Sequence, residues 1–249
     1  MQSSLESKKD PGSLDELFSD SAVASQVKEV SPSSYDTVSE FWRAPLAAQH
    51  LTLRMKELIL LAMHASAAAL TPSQVKRHVD RALAAGASKE DIVDVLVSVI
   101  GLANHSLYAS VPILEEELKA AGKTSDTTPP WTPKLEAAKQ KFVEIRGFWN
   151  PDRDAVARLI PDYFAALTNL STESWKNGTL ARKEREFICI GIDCSVAHTY
   201  EAGLRIHIRN ALKCGATQAE ILEIFTLAAL MGVDTYVMGA EAMFQPSKR

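Results

Sequence analysis

The residues best suited to moving protons fall into two sets that share one spacing. Glu57, His64 and His78 form the first, and Glu186, Asp193 and His207 the second; sliding the chain by 129 residues lays each set on the other. A neutral imidazole beside a carboxylate in a dry pocket can exchange a proton near neutral pH, so a Glu–His pair suits general acid–base work. The second set has more polar neighbours, because His198, Tyr200, Glu201 and Arg205 lie within about two helical turns of His207. His207 is therefore the candidate proton donor, Glu186 its orienting or relaying partner, and His198 a further candidate catalytic group. Tyr200, Glu201, Arg205 and Asp193 are candidate substrate contacts, and Glu57, His64 and His78 are the first-half counterparts. His105 falls opposite Asp234 in the same register and faces either a pocket or a subunit contact, while His50 sits in a polar surface loop. Arg77, Arg81, Arg205 and Arg209 read as solvated-face charges, one of which could hold a carboxylate bidentately. His198, Glu201 and His207 could supply metal ligands, but no ligand pair recurs in both halves and Glu201 falls on a different helix face from His207. No metal is expected.

The elements that must position these groups are helical and duplicated. The 129-residue shift matches Leu51 to Leu180, Glu57 to Glu186, Ser66 to Ser195, His78 to His207 and Gly86-Ala87 to Gly215-Ala216, with eleven identities over positions 51 to 103 and no gap. Leu58, Leu61, Ala62 and Ala65 recur at helical spacing, as do Ile92, Val95, Leu96, Val99 and Ile100. Gly86 and Gly215 stand where a helix C-terminus favours a left-handed residue, and Ser88 and Thr217 follow as N-caps with an acid three residues on. Each half reads as helix, helix, turn, helix, final helix, with one further helix before each set, at roughly 13–29 and 134–158. The expected fold is all-α: a duplicated helical bundle of two pseudo-symmetric halves, residues 1–129 with an N-terminal tail and residues 130–249. Pro129, Pro130 and Pro133 mark the join, since proline cannot continue a helix.

The segments His78 to Ile92 and His207 to Ile221, with Lys56-Glu57-Leu58 and Arg185-Glu186-Phe187 upstream, resemble the carboxymuconolactone decarboxylase family. That superfamily includes the AhpD-like alkylhydroperoxidases, and Tyr200 to His207 is similar to a tandem subgroup. The resemblance covers about residues 40–118 and 169–247. It implies an AhpD-like bundle in each half. The peroxidase branch carries a Cys-x-x-Cys pair just before its histidine; here those positions hold Thr71 and Gln74 in one half, Tyr200 and Gly203 in the other. Without a nucleophilic and a resolving thiol there is no dithiol cycle. The resemblance thus points to decarboxylase-type members, which need no metal or organic cofactor, and to a homo-oligomer, a trimer before a dimer.

A formal charge of −4 leaves no basic footprint for nucleic acid or anionic membrane. The longest apolar run, Leu58 to Leu70, has 13 residues, too few to span a bilayer. Met1 to Ser13 lacks an apolar stretch and reads as a flexible tail, and three cysteines without a pairing pattern suit a reducing, cytoplasmic compartment. The expectation is a cofactor-free lyase acting on a small organic acid or lactone acid by His/Glu proton transfer. A hydroperoxide-reducing protein with non-standard thiols and a non-catalytic helical oligomer that binds small acids are the alternatives.

Overall fold

A computed structural model describes residues 12–123 and 129–244; most of the expected tail lies outside the described residues. Among the described residues there is no strand, and the helices occur in two matching series. The first half comprises α1 (Ser21–Val30), α2 (Pro32–Ala47), α3 (Leu53–Ala65), α4 (Pro72–Ala84), α5 (Lys89–Leu102) and α6 (His105–Ala120). After α7 (Pro133–Arg146), the second half repeats this as α8 (Arg153–Leu159), α9 (Pro161–Asn177), α10 (Arg182–Cys194), α11 (Glu201–Lys213), α12 (Gln218–Ala229) and α13 (Val233–Phe244). The chain is a duplicated, all-helical bundle.

Local chemistry sets the breaks. Gly86 and Gly215 take φ +93° and +82°, a region that costs a residue with a Cβ about 1 kcal/mol or more. Ser88 with Asp91, and Thr217 with Glu220, then form reciprocal capping boxes at the starts of α5 and α12. The single helices expected before each set are each broken. A short 3-10 turn at Leu14–Leu17 precedes α1, whose N-cap Asp20 accepts the Ala22 amide at 2.8 Å. In the second half, Gly147 in the left-handed region ends α7, and α8 begins after Pro151.

The two halves pack crosswise. α3 lies against α10, where Gly191 permits close approach: a Cβ there would come within 2.8 Å of Ile59 Cγ2. α5 packs on α9 and α10, and α12 on α2 and α3, so each half covers the other's helices. The last helices exchange as well: α6 packs on α8, and α13 on α1. A single core, including Leu58, Ile59, Leu61, Ile188, Ile190 and Ile224, therefore draws on both halves. A satellite core of Tyr108, Leu135, Val156, Phe164 and Leu167 sits beneath α6, α7 and α8. Trp131 and Trp149 pack beside it.

Two buried ion pairs fasten this crossing. Lys56 of α3 meets Glu223 of α12 at 2.7 Å, and Arg185 of α10 meets Asp94 of α5. In the 129-residue register these are one interaction made twice, since Lys56 corresponds to Arg185 and Asp94 to Glu223. The Lys56 ammonium also donates to the Pro45, Leu46 and Ala48 carbonyls. Glu223 accepts the His50 and Leu51 amides, and Asp94 accepts the Leu180 amide at 3.0 Å.

Two stretches, Lys89–Ala120 and Gln218–Phe244, are long and apolar enough to cross a bilayer by length and composition, which the count of contiguous apolar residues missed. Each is interrupted, at Ala103–Asn104 and at the 3-10 turn Leu230–Gly232, and each buries one side in the core. Lys56→Met, which strands Glu223 without its cation, is expected to lower unfolding free energy by about 3–5 kcal/mol. Urea denaturation measures it. The double variant Lys56→Met/Glu223→Leu is expected to recover only part, because the His50 and Leu51 amides lose their acceptor.

Candidate functional site

Each half builds a Glu–His dyad between its two matching helices. In the second half Glu186 of α10 and His207 of α11 are buried, with Glu186 Oε2 2.6 Å from His207 Nδ1. Glu57 of α3 and His78 of α4 repeat this at 3.0 Å. The glutamates sit early in their helices, yet each is only 1% exposed; the dyad, not solvent, receives the carboxylate.

The halves differ in what surrounds the dyad. In the first half every carboxylate oxygen has a donor. Glu57 Oε1 accepts from Arg81 at 2.8 Å and Oε2 from His78. His64 Nε2 meets Asp234 Oδ2 at 2.6 Å, and Arg77 donates to Asp234 Oδ1 at 2.6 Å. His64 also contacts the Leu60 carbonyl and stacks on His78 with ring centroids 4.5 Å apart. Arg77 and Arg81 are therefore not the solvated charges the sequence pattern suggested. The Leu14–Leu17 turn covers them, supplying the Leu17 carbonyl to Arg77 and Glu16 to Arg81. Burial holds the His78 pKa down to about 4.

In the second half Asp193 replaces His64, and it is buried with no hydrogen bond to either carboxylate oxygen. Three imidazoles surround it. His105 Nδ1 lies 3.4 Å and His198 Nε2 3.7 Å from Oδ1, and His207 Nε2 lies 4.0 Å from Oδ2. Burial pushes the Asp193 pKa up to about 8, so this acid keeps its proton at neutral pH. Burial also lowers His198, and lowers His105 to about 2, so these rings stay neutral. Their nitrogens meet each other at 2.9 Å.

Sequence features explain the placement. Asp193 and Glu186 are two turns apart on α10, so both reach the His207 ring. A Cβ at Gly203 would collide with Asp193 Oδ2, so this position must be bare for the carboxyl to fit. Thr199, at φ +40°, turns the chain so that His198 and Tyr200 flank the cluster, and the Tyr200 amide donates to the Asp193 carbonyl at 2.9 Å. Tyr200 stacks on His105 with centroids 3.9 Å apart. His105 comes from α6, in the other half, and so the site is composite.

Of the site residues singled out in the sequence, His207, Glu186, His198, Asp193 and Tyr200 come together. Glu201 and Arg205 do not. They lie on the outer face of α11, 74% and 71% exposed, paired with each other. That helix turns its His207 face inward, which leaves the i, i+4 pair in solvent. His105, for which the register left a pocket or a subunit contact open, faces the pocket, and the buried Arg146 is the addition. Arg146 lines a cavity of about 30 Å³ together with His105, Cys189 and His207, which is room for about two waters. The one signal for His105 was its register opposite Asp234: acid and imidazole exchange places between His64–Asp234 and Asp193–His105.

His105, Asp193 and His198 also form the one group of imidazole, thiol and carboxylate atoms, among the described residues, close enough to share a cation. Two neutral imidazoles and one carboxylate are a donor set that zinc accepts. None of the cysteines joins it. Burial pushes Cys189 well above the usual thiol range and Cys194 up to about 12, opposite to what a reactive thiol needs.

The comparisons agree with this architecture. The model of the carboxymuconolactone decarboxylase family matches residues 32–105 and 161–244. This chain belongs to that family. A solved structure from Burkholderia xenovorans, named as a putative gamma-carboxymuconolactone decarboxylase subunit, is 32% identical, with a TM-score of 0.85 and 92% of each chain covered. No curated protein matches.

The proton on Asp193 has a measurable signature. The unfolded carboxyl ionises near a pKa of about 3.9 and the folded one at about 8. Its contribution to stability is full below the first value and is lost as pH rises through the second. The depressed histidines act in the opposite sense below a pH of about 6.5, so the Asp193 effect stands clear of them between there and pH 8. Melting temperatures from pH 6.5 to 9 are expected to fall more steeply for the wild type than for Asp193→Asn. Parallel curves would remove the raised pKa.

Proposed function

We propose that this chain is a decarboxylase-type lyase acting on a small organic acid or lactone acid, and that the second-half cluster does the chemistry. The observation that carries this reading is the buried Asp193, left without a hydrogen bond opposite the free Nε2 of His207, while every carboxylate of the matching first-half cluster is paired. A buried polar group without a partner costs about 1–3 kcal/mol, and such costs persist where a ligand or a reaction uses the group.

The carbon–carbon bond to the departing carboxylate breaks and CO2 leaves, with the electron pair passing into an adjacent carbonyl or lactone. Asp193 passes its proton to His207 Nε2, and the imidazolium delivers it to the carbon. Glu186, bonded to Nδ1, fixes the ring orientation and stabilises the imidazolium. At 4.0 Å the two groups stand just beyond direct hydrogen-bond distance, and a side-chain shift of about 1 Å brings them within it. Solvent then returns a proton to Asp193. His105, His198 and Tyr200 form the wall behind it. We read the first-half cluster as a structural copy, and the exposed Ile113 and Leu114 of α6, 59% and 56% accessible, as part of a subunit contact in a homo-oligomer, a trimer before a dimer.

Assays of CO2 release from lactone acids related to carboxymuconolactone test the reading. His207→Gln is expected to lower turnover by about 10²–10⁴-fold with little change in melting temperature. His78→Gln is expected to lower stability and leave turnover nearly intact. The reverse pattern moves the working site to the first half. Activity is expected to survive EDTA and thiol-blocking reagents; loss on chelation with recovery in zinc would make His105, Asp193 and His198 a metal centre.

A further inference from the structure

Four cations are buried among the described residues: Lys56, Arg146, Arg153 and Arg185. Lys56 and Arg185 each have a carboxylate. Among the described residues Arg146 and Arg153 have none within ion-pair distance; Arg146 Nη1 donates to the Ser171 carbonyl at 2.7 Å, and each residue keeps a buried nitrogen (Arg146 Nε, Arg153 Nη1) without an acceptor. Aromatic rings take the place of counter-ions. Arg146 lies 3.6 Å above Trp175, and Arg153 4.2 Å above Phe142, which Arg146 also approaches at 5.6 Å. Rings offset only part of the cost of burying a charge.

The position of Arg146 suggests what completes it. The residue also lines a second cavity, a cleft of about 190 Å³ over the Glu186 end of the dyad, together with Asn210, whose Nδ2 is buried without an acceptor. Glu144, Arg182, Glu186 and Lys213 supply the other charges of this cleft, giving three cations against two carboxylates. Glu186 is committed to His207. The matching first-half cleft, about 400 Å³, has the opposite balance: Arg77 and Arg81 against Glu16, Glu57 and Asp80. There the position of Asn210 is held by Arg81, which is bonded to Glu57. The second half thus lacks that internal ion pair and offers unused donors instead.

We propose that this cleft is a binding site for a small oxyanion, held by Arg146 and Asn210. Arginine suits a planar carboxylate through paired N–H donors, and a phosphate shares that chemistry. The assignment does not depend on which bond the Asp193 cluster breaks. It places the anion behind Glu186, with Arg146 forming the wall shared with the inner cavity.

Thermal melting of the full chain in sodium acetate and in sodium phosphate, each against sodium chloride of equal ionic strength, tests it. The wild type is expected to gain melting temperature saturably with an oxyanion beyond the chloride control. A lower midpoint for acetate identifies an organic-acid carboxylate, and a lower midpoint for phosphate a phosphate group. Arg146→Met is expected to melt higher than the wild type without anion, since an unpaired buried charge is gone, and to lose the response. Asn210→Asp, which adds a negative charge to the cleft, is expected to raise the midpoint at least about tenfold. It decides the question alone if Arg146→Met does not fold. No response beyond chloride in the wild type, or unchanged midpoints in these variants, would overturn the proposal.

Discussion

The rest of the molecule depends on a buried ion pair made twice across a crossing of two half-chains. Lys56–Glu223 and Arg185–Asp94 each join a helix of one half to a helix of the other, in a core where an unpaired charge would cost several kcal/mol. Each acid also accepts the amides that lead into the other half's central helix. Register is therefore fixed at both sites. An axial slip of α3 against α12, or of α10 against α5, would strand a cation, a carboxylate and a backbone donor together. Because α3 and α10 also carry Glu57, His64, Glu186 and Asp193, the ion pairs hold the chemistry-bearing positions in place.

On that symmetric frame the halves have divided their labour. The same four positions hold Glu57, His78, His64 and Asp234 in one cluster and Glu186, His207, Asp193 and His105 in the other. Exchanging acid and imidazole conserves composition but changes the electrostatics. In the first cluster Arg77 and Arg81 supply fixed positive charge, and the carboxylates are paired with it. In the second these positions are Ile206 and Asn210, so no such fixed charge stands beside Asp193, and burial keeps its proton on. One half gains rigidity, and the other keeps a group with an unspent hydrogen-bonding capacity.

Much of this was legible in the sequence, for identifiable reasons. The duplication, the helical period and the Gly-Ala-Ser/Thr turns are local signals, and the Glu–His dyads follow from one residue pair placed identically twice. What escaped were the contacts made across the crossing. Arg77 and Arg81 recur at i, i+4 like surface charges, and the Leu14–Leu17 turn folding over them, with Asp234 and Glu57 as their partners, removes them from solvent. Glu201 and Arg205 carry the same local pattern with no such cover, and they remain outside. His105 belongs by sequence to the first half and by function to the second cluster, a placement that helical periodicity within either half does not encode. The loss of the Arg81 guanidinium at Asn210 could be read from the register, but its meaning depends on Arg146, which enters from α7.

The exchange of the last helices has a further consequence for how such a chain can arise and be cut. Since α6 completes the second cluster and α13 the first, neither half encloses a whole site, and an isolated half would expose the faces that the other covers. An ancestor with one repeat could have made both sites only as a symmetric pair of identical chains, each lending its final helix to its neighbour. Joining the copies turned a concentration-dependent encounter into an intramolecular one. It also released the two clusters from having identical residues, and only after that step could a histidine on one side become an aspartate on the other.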